Sequence, residues 1–300
     1  MAVVSVHGTE YHIDDKLKPK WDRIKDGKLT KEDDDKVFIV DGRERSGKSV
    51  FAFQQACYID PTLVGDLSRI CFTAEEFLSA IRKTNSNAEQ TKVVIFDEAF
   101  RGLASRAAMS KINKKLIQAL MEVGQKNLVI FIVLPSFFML DLYPAMLRSD
   151  ALFHIKKDKI TKQRSFHVYS RAKKGKLYQI GVRKGWTYSI PTRFKGRFSK
   201  KFPGGDEFEA AYRKKKYQSL VESNDEAEKP SEDSRFKLQR DQLIRFLIDS
   251  AKYSQRKLER DLNSYGFKMS RTTIHEILSQ KPRKEEKPTE MTEKEDEVGW

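Results

Sequence analysis

The sequence lacks the features that mark a secreted, membrane-spanning or zinc-binding protein. Two of its 300 residues are cysteine, Cys57 and Cys71, and both lie in apolar segments without the spacing of a zinc site, so we expect buried small side chains. No apolar run approaches the roughly 18 residues of a membrane span. The longest run, residues 128–134, has the length of a strand. The first fifteen residues do not combine a charged start with an apolar block, so we expect no signal peptide and a cytoplasmic location.

The formal net charge of +15 is distributed unevenly along the chain. Lys and Arg are concentrated in residues 156–216 and 235–271, whereas residues 222–233 and the last twenty residues contain clusters of acidic residues. A basic surface attracts polyanions, most often nucleic acid, although the same charge can serve as a solubilising surface. The hydrophobic content of 39% suits one core that carries polar extensions.

The chain is organised around residues 37–53, VFIVDGRERSGKSVFAF. An apolar run leads into G-x-x-x-x-G-K-S and then into a second apolar-periodic segment, which is the strand, loop and helix layout of a phosphate-binding loop. The glycines let backbone amides point inward, and the start of the helix favours an anion. We therefore expect ATP with Mg²⁺ here, and a glycine turn with a surface lysine is the poorer explanation. We expect Lys48 to reach the β and γ phosphates and Ser49 to ligate Mg²⁺. The full set of expected nucleotide contacts is Gly42, Arg43, Glu44, Arg45, Ser46, Gly47, Lys48 and Ser49.

A second cluster of candidate site residues follows the apolar run in residues 92–100, KVVIFDEAF. A run this apolar predicts a strand of a parallel sheet whose two faces are both buried. At its end we expect Asp97 to hold Mg²⁺ and Glu98 to polarise the attacking water. A general base beside the metal favours hydrolysis over transfer to an acceptor. The alternative is an acidic turn that follows a strand.

Further strands are predicted at residues 37–40, 69–72 and 127–134, with helices between them, so the fold class is α/β with a mainly parallel sheet. Between the loop and the DE strand the sequence has one extra strand and two helices. This arrangement resembles the additional-strand catalytic-glutamate branch of P-loop ATPases, which includes RecA-like, FtsK/HerA-like and AAA+ motors. The chain is also similar to phage, plasmid and archaeal-virus ATPases of the zonula occludens toxin-like and HerA types. The residues that carry this similarity are DEAF at 97–100, MSKINKKL at 109–116 and LPSFFMLD at 134–141.

The resemblance implies two further site residues. In the resembled branch a polar residue at the tip of the strand after the DE strand senses the γ phosphate, and Ser136 stands at that place, although a turn-forming serine is nearly as good an interpretation. If the ATPase forms a homo-oligomeric ring, Arg148 could reach a neighbour's nucleotide, an effect worth about 10³ to 10⁵ in rate where it is used. Arg101 and Arg106 compete for this role, and each arginine alone could be an ordinary surface residue.

The remaining segments are assigned to an arm, a basic extension and a small second domain. Residues 1–36 form an N-terminal arm that begins with a hairpin, and residues 37–221 form the ATPase domain. Within it, residues 151–202 are expected to be a β meander with turns at 173–176 and 183–185, a basic β extension. Its interleaved aromatic and basic residues suit DNA, but lysines that protect a sheet edge would look the same.

The C-terminal part is predicted as a linker, a helix-turn-helix-like domain and a tail. Residues 222–234 are acidic and poor in apolar residues, as in a linker, and residues 282–300 are expected to be disordered. Within residues 235–281 we expect Ser254 to cap the second helix, Gly266 to lie in the turn and Ser270 to cap the third helix. In the third helix Arg271, Thr272, Thr273 and His275 would face a DNA groove. A plain three-helix interaction domain would have the same core pattern.

The sequence therefore predicts a Mg²⁺-dependent ATPase that acts on DNA, most concretely a translocase or packaging-type motor of a mobile element. An ATP-switched DNA-binding regulator or partition-like protein is the alternative, and an ATPase for protein assembly or secretion is a weaker third.

Overall fold

The computed structural model describes residues 2–97, 106–228 and 232–279, without the side chains of residues 106–111, 222–228, 232–235 and 238. The chain divides into two compact units, Met1–Asp225 and Glu226–Trp300. The boundary between them falls inside the segment for which the sequence predicts a linker.

The described part of the first unit contains one large sheet. Its strands are β3 (Lys36–Gly42), β4 (Ile70–Cys71), β5 (Val93–Phe96), β6 (Val129–Leu134), β7 (Ala151–Lys157), β8 (Arg164–Ser170) and β9 (Phe194–Arg197). These seven described strands lie in the order β4-β5-β6-β3-β7-β8-β9. All pairs from β4 to β7 are parallel, and β8 and β9 are added antiparallel. The predicted mainly parallel α/β fold is confirmed.

Helices cover both faces of this sheet. They are α1 (Lys18–Asp22), α2 (Lys28–Glu32), α3 (Lys48–Ile59), α4 (Ala74–Lys83), α5 (Arg106–Glu122), α6 (Arg171–Arg183) and α7 (Gly205–Glu228). Thr73 and Glu76 have the T-x-x-E spacing that predicts a capping box, and the box is present at the start of α4. The Glu76 amide donates to the Thr73 hydroxyl at 3.1 Å, and the Glu76 carboxylate accepts in return. A 3₁₀ turn over Pro61–Gly65 follows α3, and a π-helical turn over Tyr143–Arg148 precedes β7.

Alternation along the central strands divides their side chains between two cores, as a period of two requires. Phe38 and Val40 pack on the side of α3, whereas Ile39 packs on the side of α4 and α5. Every residue of β6 is fully buried, as expected for a central parallel strand. Because parallel strands all end at one edge, the loop after β3 lies beside the ends of β5 and β6, and this edge holds the candidate site.

The N-terminal arm packs against α3. Its predicted hairpin is confirmed, with β1 (Ala2–Val6) antiparallel to β2 (Thr9–Ile13). The Tyr11 hydroxyl donates to the Gln54 carbonyl oxygen at 2.8 Å, and the Trp21 indole donates to the Gln55 side chain at 2.8 Å. The short helices α1 and α2 carry too few apolar residues to be recognised from periodicity.

The predicted β meander is only partly correct. Strands β8 and β9 are present, but residues 171–183, expected to include a turn and a strand, form helix α6. The Lys174 ammonium is fully buried and donates to the carbonyl oxygens of Ala145 and Ser149 at 2.6 and 2.7 Å, and burial lowers its pKa to about 8. Gly181 packs so closely on Phe138 that a Cβ would collide with the ring. These tertiary contacts favour a helix where the local sequence of lysines and glycine indicates a turn.

Two helices extend into residues 222–234, the segment that the sequence predicts as a linker. Helix α7 continues through Glu228, and the next helix, α8 (Glu232–Asp249), begins at residue 232. Acidic composition with few apolar residues argues against burial, but it does not prevent a helix, since Glu and Ala favour helical backbone.

The second unit contains α8, α9 (Gln255–Ser264) and α10 (Arg271–Ser279) within its described residues. Ser254 caps α9 by accepting from the Lys257 amide at 3.3 Å, and Ser270 caps α10 by accepting from the Thr273 amide at 3.2 Å, as predicted. The core consists of Ile244, Leu258, Ile274 and Ile277. The predicted tail, residues 282–300, lies outside the described residues.

Candidate nucleotide-binding site

The backbone between β3 and α3 forms the predicted loop. Gly42 has φ +144° and Gly47 has φ +98°, conformations that favour glycine, and Arg45 adopts the left-handed region at φ +57°. A Cβ on Gly42 would collide with the Ile155 carbonyl oxygen. Helix α3 begins immediately after Gly47, so its unpaired amides point at the loop.

Lys48, the first residue of α3, folds back across the loop. Its ammonium donates to the carbonyl oxygens of Gly42 at 2.8 Å and of Arg43 at 3.1 Å. These bonds fix the positive charge at the centre of the turn, where the helix start already favours an anion.

Ser49, in the first turn of α3, contacts Asp97, the residue directly after β5. The Ser49 hydroxyl donates to Asp97 Oδ1 at 3.1 Å, and Asp97, directly after β5, is fully buried. The Asp97 amide is held by the Cys71 carbonyl oxygen at 2.8 Å. The structure therefore brings together the two predicted Mg²⁺ ligands, which are 48 residues apart in sequence.

These two residues fit a nucleotide-bound Mg²⁺. The described residues contain no group of three or more His, Cys, Asp or Glu side chains placed to hold a metal ion by themselves. Mg²⁺ is commonly bound through one or two protein oxygens together with substrate phosphates. Ser49 and Asp97 would hold it, and its chemical contribution would be positive charge beside the phosphates.

Helix α7 supplies two contacts to Asp97 that the sequence did not predict. The Tyr212 hydroxyl donates to Asp97 Oδ2, and the Lys216 ammonium lies 3.7 Å from the same oxygen. The Tyr212 ring packs on Phe53 of α3, with the ring centroids 4.8 Å apart. Spacing by four residues places Tyr212 and Lys216 on one helix face, but no local pattern indicates which carboxylate that face meets.

Asp41, directly before Gly42, is the centre of a second buried network. Its Oδ1 lies 2.8 Å from His154 Nδ1, and its Oδ2 accepts from the Phe137 amide at 2.9 Å and from the Tyr188 hydroxyl. The His154 and Tyr188 rings stack with centroids 3.8 Å apart. Burial, with the Asp41 carboxylate adding to it, raises the pKa of Tyr188 well above its usual range. Asp41 thus ties the loop to the end of β6 and to β7.

Ser136 lies at the tip of β6, as predicted, beside this network. It shares with loop residues 42–46 the wall of an open cavity of about 1000 Å³. The opposite wall is the turn between β7 and β8, and Trp186 and Tyr188 complete it. Basic residues outnumber acidic ones around this cavity: Arg43, Arg45, Lys156, Lys157, Lys159 and Lys162 stand against Glu44 and Asp158.

Arg148 is not in the loop site. Its guanidinium pairs with Asp35, which directly precedes β3, and donates to the Leu120 carbonyl oxygen at 3.0 Å. The phosphate loop follows the other end of β3, so the structure places Arg148 at the end of this strand that lies away from the loop. Glu98 and Arg101 lie outside the described residues, as does the side chain of Arg106.

Three of the four candidate DNA-contacting residues of the second unit are exposed on α10, whereas Thr273 is half-buried, with its hydroxyl 3.0 Å from that of Ser270. Arg271, Thr272 and His275 are exposed, and Ile274 and Ile277 face the core. Gly266 has φ +87° in the turn between α9 and α10. No helix of the described chain is both long and apolar enough to cross a membrane.

The sheet order, the loop between β3 and α3, and the Ser49–Asp97 pair define a P-loop nucleotide-binding fold. No protein-family profile matches the sequence, and no curated protein matches it significantly. Among solved structures, the chain is similar to the N-terminal domain of zonular occludens toxin from Neisseria meningitidis, with 15% identity over 55% of this chain and 94% of that one and a TM-score of 0.30. It is also similar to a second solved structure, an ATPase domain, with 11% identity over 53% of this chain and 91% of that one and a TM-score of 0.32.

The first of these domains belongs to the kind of protein that the sequence resembles, and the second is described as an ATPase domain. At such low identities and TM-scores neither likeness bears on the activity of this chain.

Proposed function

We propose that the chain is a Mg²⁺-dependent ATPase that acts on DNA. The observation that carries the hydrolase part is the hydrogen bond of 3.1 Å between Ser49 and the buried Asp97. A hydroxyl at the start of the loop helix and a carboxylate at the end of another strand of the same sheet are the oxygen ligands that a nucleotide-bound Mg²⁺ uses. Glu98, the next residue in the sequence, is our candidate for the group that polarises the attacking water.

The DNA part of the proposal is supported by charge beside the loop. Lys156 and Lys157 are exposed at the end of β7, and Lys159 and Lys162 are exposed in the turn that follows it. Trp186, at the same cavity, is 51% exposed. Cations beside an exposed aromatic ring suit a phosphate backbone with accessible bases. The most concrete form of this function is a translocase or packaging-type motor of a mobile element, which would work as a homo-oligomer.

The test is ATP hydrolysis by the full chain with and without long duplex DNA, at low and moderate salt. We expect turnover that DNA stimulates and that salt weakens, because phosphate contacts release counterions. Lys48→Ala should abolish turnover, and Glu98→Gln should bind ATP without hydrolysing it. Lys31→Ala, an exposed lysine of α2, is the control and should behave as the unmodified protein. If the unmodified protein does not hydrolyse ATP, the ATPase proposal is wrong.

A second candidate function is an ATP-switched DNA-binding regulator, which the exposed first turn of α10 favours. Such a protein would hydrolyse slowly, without DNA stimulation, and would protect a discrete DNA site from cleavage. Arg271→Ala should then remove that protected site while weak binding elsewhere persists. If no preferred site exists and turnover ignores DNA, a protein-directed ATPase is the better conclusion.

A further inference from the structure

Arg164 approaches the phosphate loop from β8, which is separated from β3 by β7. It begins β8 and lies opposite Lys157 of β7. Phe166, two residues later, packs in the core on the side of α3, so Arg164 lies on that same face. A Cβ on Gly47 would lie 3.1 Å from Cδ, Nε and Cζ of Arg164. The side chain of Arg164 therefore lies directly against the last glycine of the loop.

This guanidinium has no partner in the part of the chain that the structure describes. Its Nε is buried and makes no hydrogen bond, and none of the described carboxylates pairs with it. Burial lowers the pKa of Arg164, but an arginine remains charged at neutral pH. The Nε of Arg164 is enclosed without an acceptor, which costs free energy and points to an anion that the described residues do not supply.

Two other arginines of the same unit, Arg69 and Arg148, differ in this respect. Arg69 pairs with Asp60 and Asp66, and Arg148 pairs with Asp35. These pairs show that the fold neutralises buried guanidinium groups where it uses them structurally. At Arg164 the neighbouring group is instead the glycine of an anion-binding loop.

We propose that Arg164 binds the polyphosphate chain of the nucleotide, as a second cation beside Lys48. This inference rests on the proposed nucleotide-dependent function and names a residue for it. The loop amides and the start of α3 supply donors from one side, and the planar guanidinium adds two parallel donors to phosphate oxygens from the hairpin side. One cation of the basic extension thus serves the nucleotide rather than DNA, and β8 carries it into contact with the loop.

Gly47 takes part in the same arrangement. Its φ of +98° already favours glycine, and any side chain would displace the Arg164 guanidinium. Lysine at position 164 would keep the charge but lose the paired donors, so it would restore binding only in part.

The experiment measures Mg·ATP and Mg·ADP affinity of the full chain without DNA, by calorimetry, for Arg164→Ala, Arg164→Gln and Arg164→Lys. We expect the alanine and glutamine variants to raise Kd by about tenfold to hundredfold, since a charged hydrogen bond is removed. The lysine variant should fall between these and the unmodified protein. Arg23→Ala, an exposed arginine of the N-terminal arm, should bind normally. Thermal unfolding without nucleotide checks that each variant folds, and the nucleotide-induced rise in Tm should shrink in parallel with affinity.

Two results would overturn this inference alone. Unchanged affinity in folded Arg164→Gln, with binding lost in Lys48→Ala, would show that the nucleotide does not touch Arg164. Tighter binding in the same variant would show that Arg164 blocks the loop instead of serving it. If the unmodified protein binds neither nucleotide, the proposed function fails together with the inference, so the two failures are distinguishable.

Discussion

Asp41 connects three distant segments at the end of the sheet that holds the candidate site. Its carboxylate accepts from the Phe137 amide after β6, and it bonds His154 of β7 and the Tyr188 hydroxyl. These three partners lie 96, 113 and 147 residues away in sequence, so the network holds distant segments at the start of the loop. A buried carboxylate with several donors is costly to remove, because each donor then lacks an acceptor.

We predict that Asp41→Ala lowers the free energy of unfolding by about 2 to 4 kcal/mol. It should also weaken ATP binding, since Gly42 follows directly and loses its anchor. Denaturant titration and calorimetric ATP titration measure the two effects. Glu10→Ala, which removes an exposed carboxylate of β2, should change neither. A variant as stable as the unmodified protein would show that the network contributes nothing.

At the scale of elements, helix α7 contacts Asp97, one of the two candidate Mg²⁺ ligands. The helix is continuous from Gly205 to Glu228, and its Tyr212 and Lys216 side chains contact Asp97. The Tyr212 hydroxyl occupies Oδ2, which leaves Oδ1 directed at Ser49. A partner that orients a metal-binding carboxylate in this way tunes the affinity for the metal.

We predict that Tyr212→Phe raises the Mg²⁺ concentration needed for half-maximal ATP binding by about tenfold. The ring remains in place against Phe53 and Phe202, so the loss of stability should be only about 1 kcal/mol. The measurement is a Mg²⁺ titration at fixed ATP concentration. Tyr217→Phe is a matched control on the same helix, because the Tyr217 side chain is 67% exposed. If both variants need the same Mg²⁺ concentration, Tyr212 of α7 does not influence Mg²⁺ binding.

At the scale of the whole molecule, the chain has two units with separate cores. The second is much the smaller, with Ile274 fully buried at its centre. A core of this size gives modest stability, since small domains bury a smaller fraction of their surface. Only the first unit contains the loop, so only the first should be stabilised by nucleotide.

We predict that Ile274→Ala destabilises the second unit by about 2 to 4 kcal/mol and leaves ATP binding unchanged. Hydrogen exchange should show faster exchange in α8, α9 and α10 alone, and Mg·ATP should slow exchange only in the first unit. Ile160→Ala, at a residue that is 90% exposed, is the control and should alter neither unit. Equal acceleration across both units would mean that the chain unfolds as one.

Local patterns in the sequence were enough to predict those parts of the molecule whose conformation depends mainly on residues nearby in the chain. The loop from Gly42 to Ser49 and the capping box at Thr73 involve contacts over a few residues, and the described structure contains both. The caps Ser254 and Ser270 were correct for the same reason. Apolar runs that predicted β5 and β6 are local signals of burial on both faces.

Tertiary structure decided which distant side chains meet, because the composition of one segment does not specify the surface that will cover it. The lysine and glycine segment around Lys174 is a helix rather than a turn. Long-range contacts favour the helix, because the Lys174 ammonium donates to the carbonyl oxygens of Ala145, in the π-helical turn, and of Ser149, directly after it. Arg148 became a partner of Asp35, and Arg164 instead became the arginine at the loop. The sequence by itself determined that a phosphate loop forms and that strands bury around it; only the folded sheet, through long-range packing, determined the side chains that surround it.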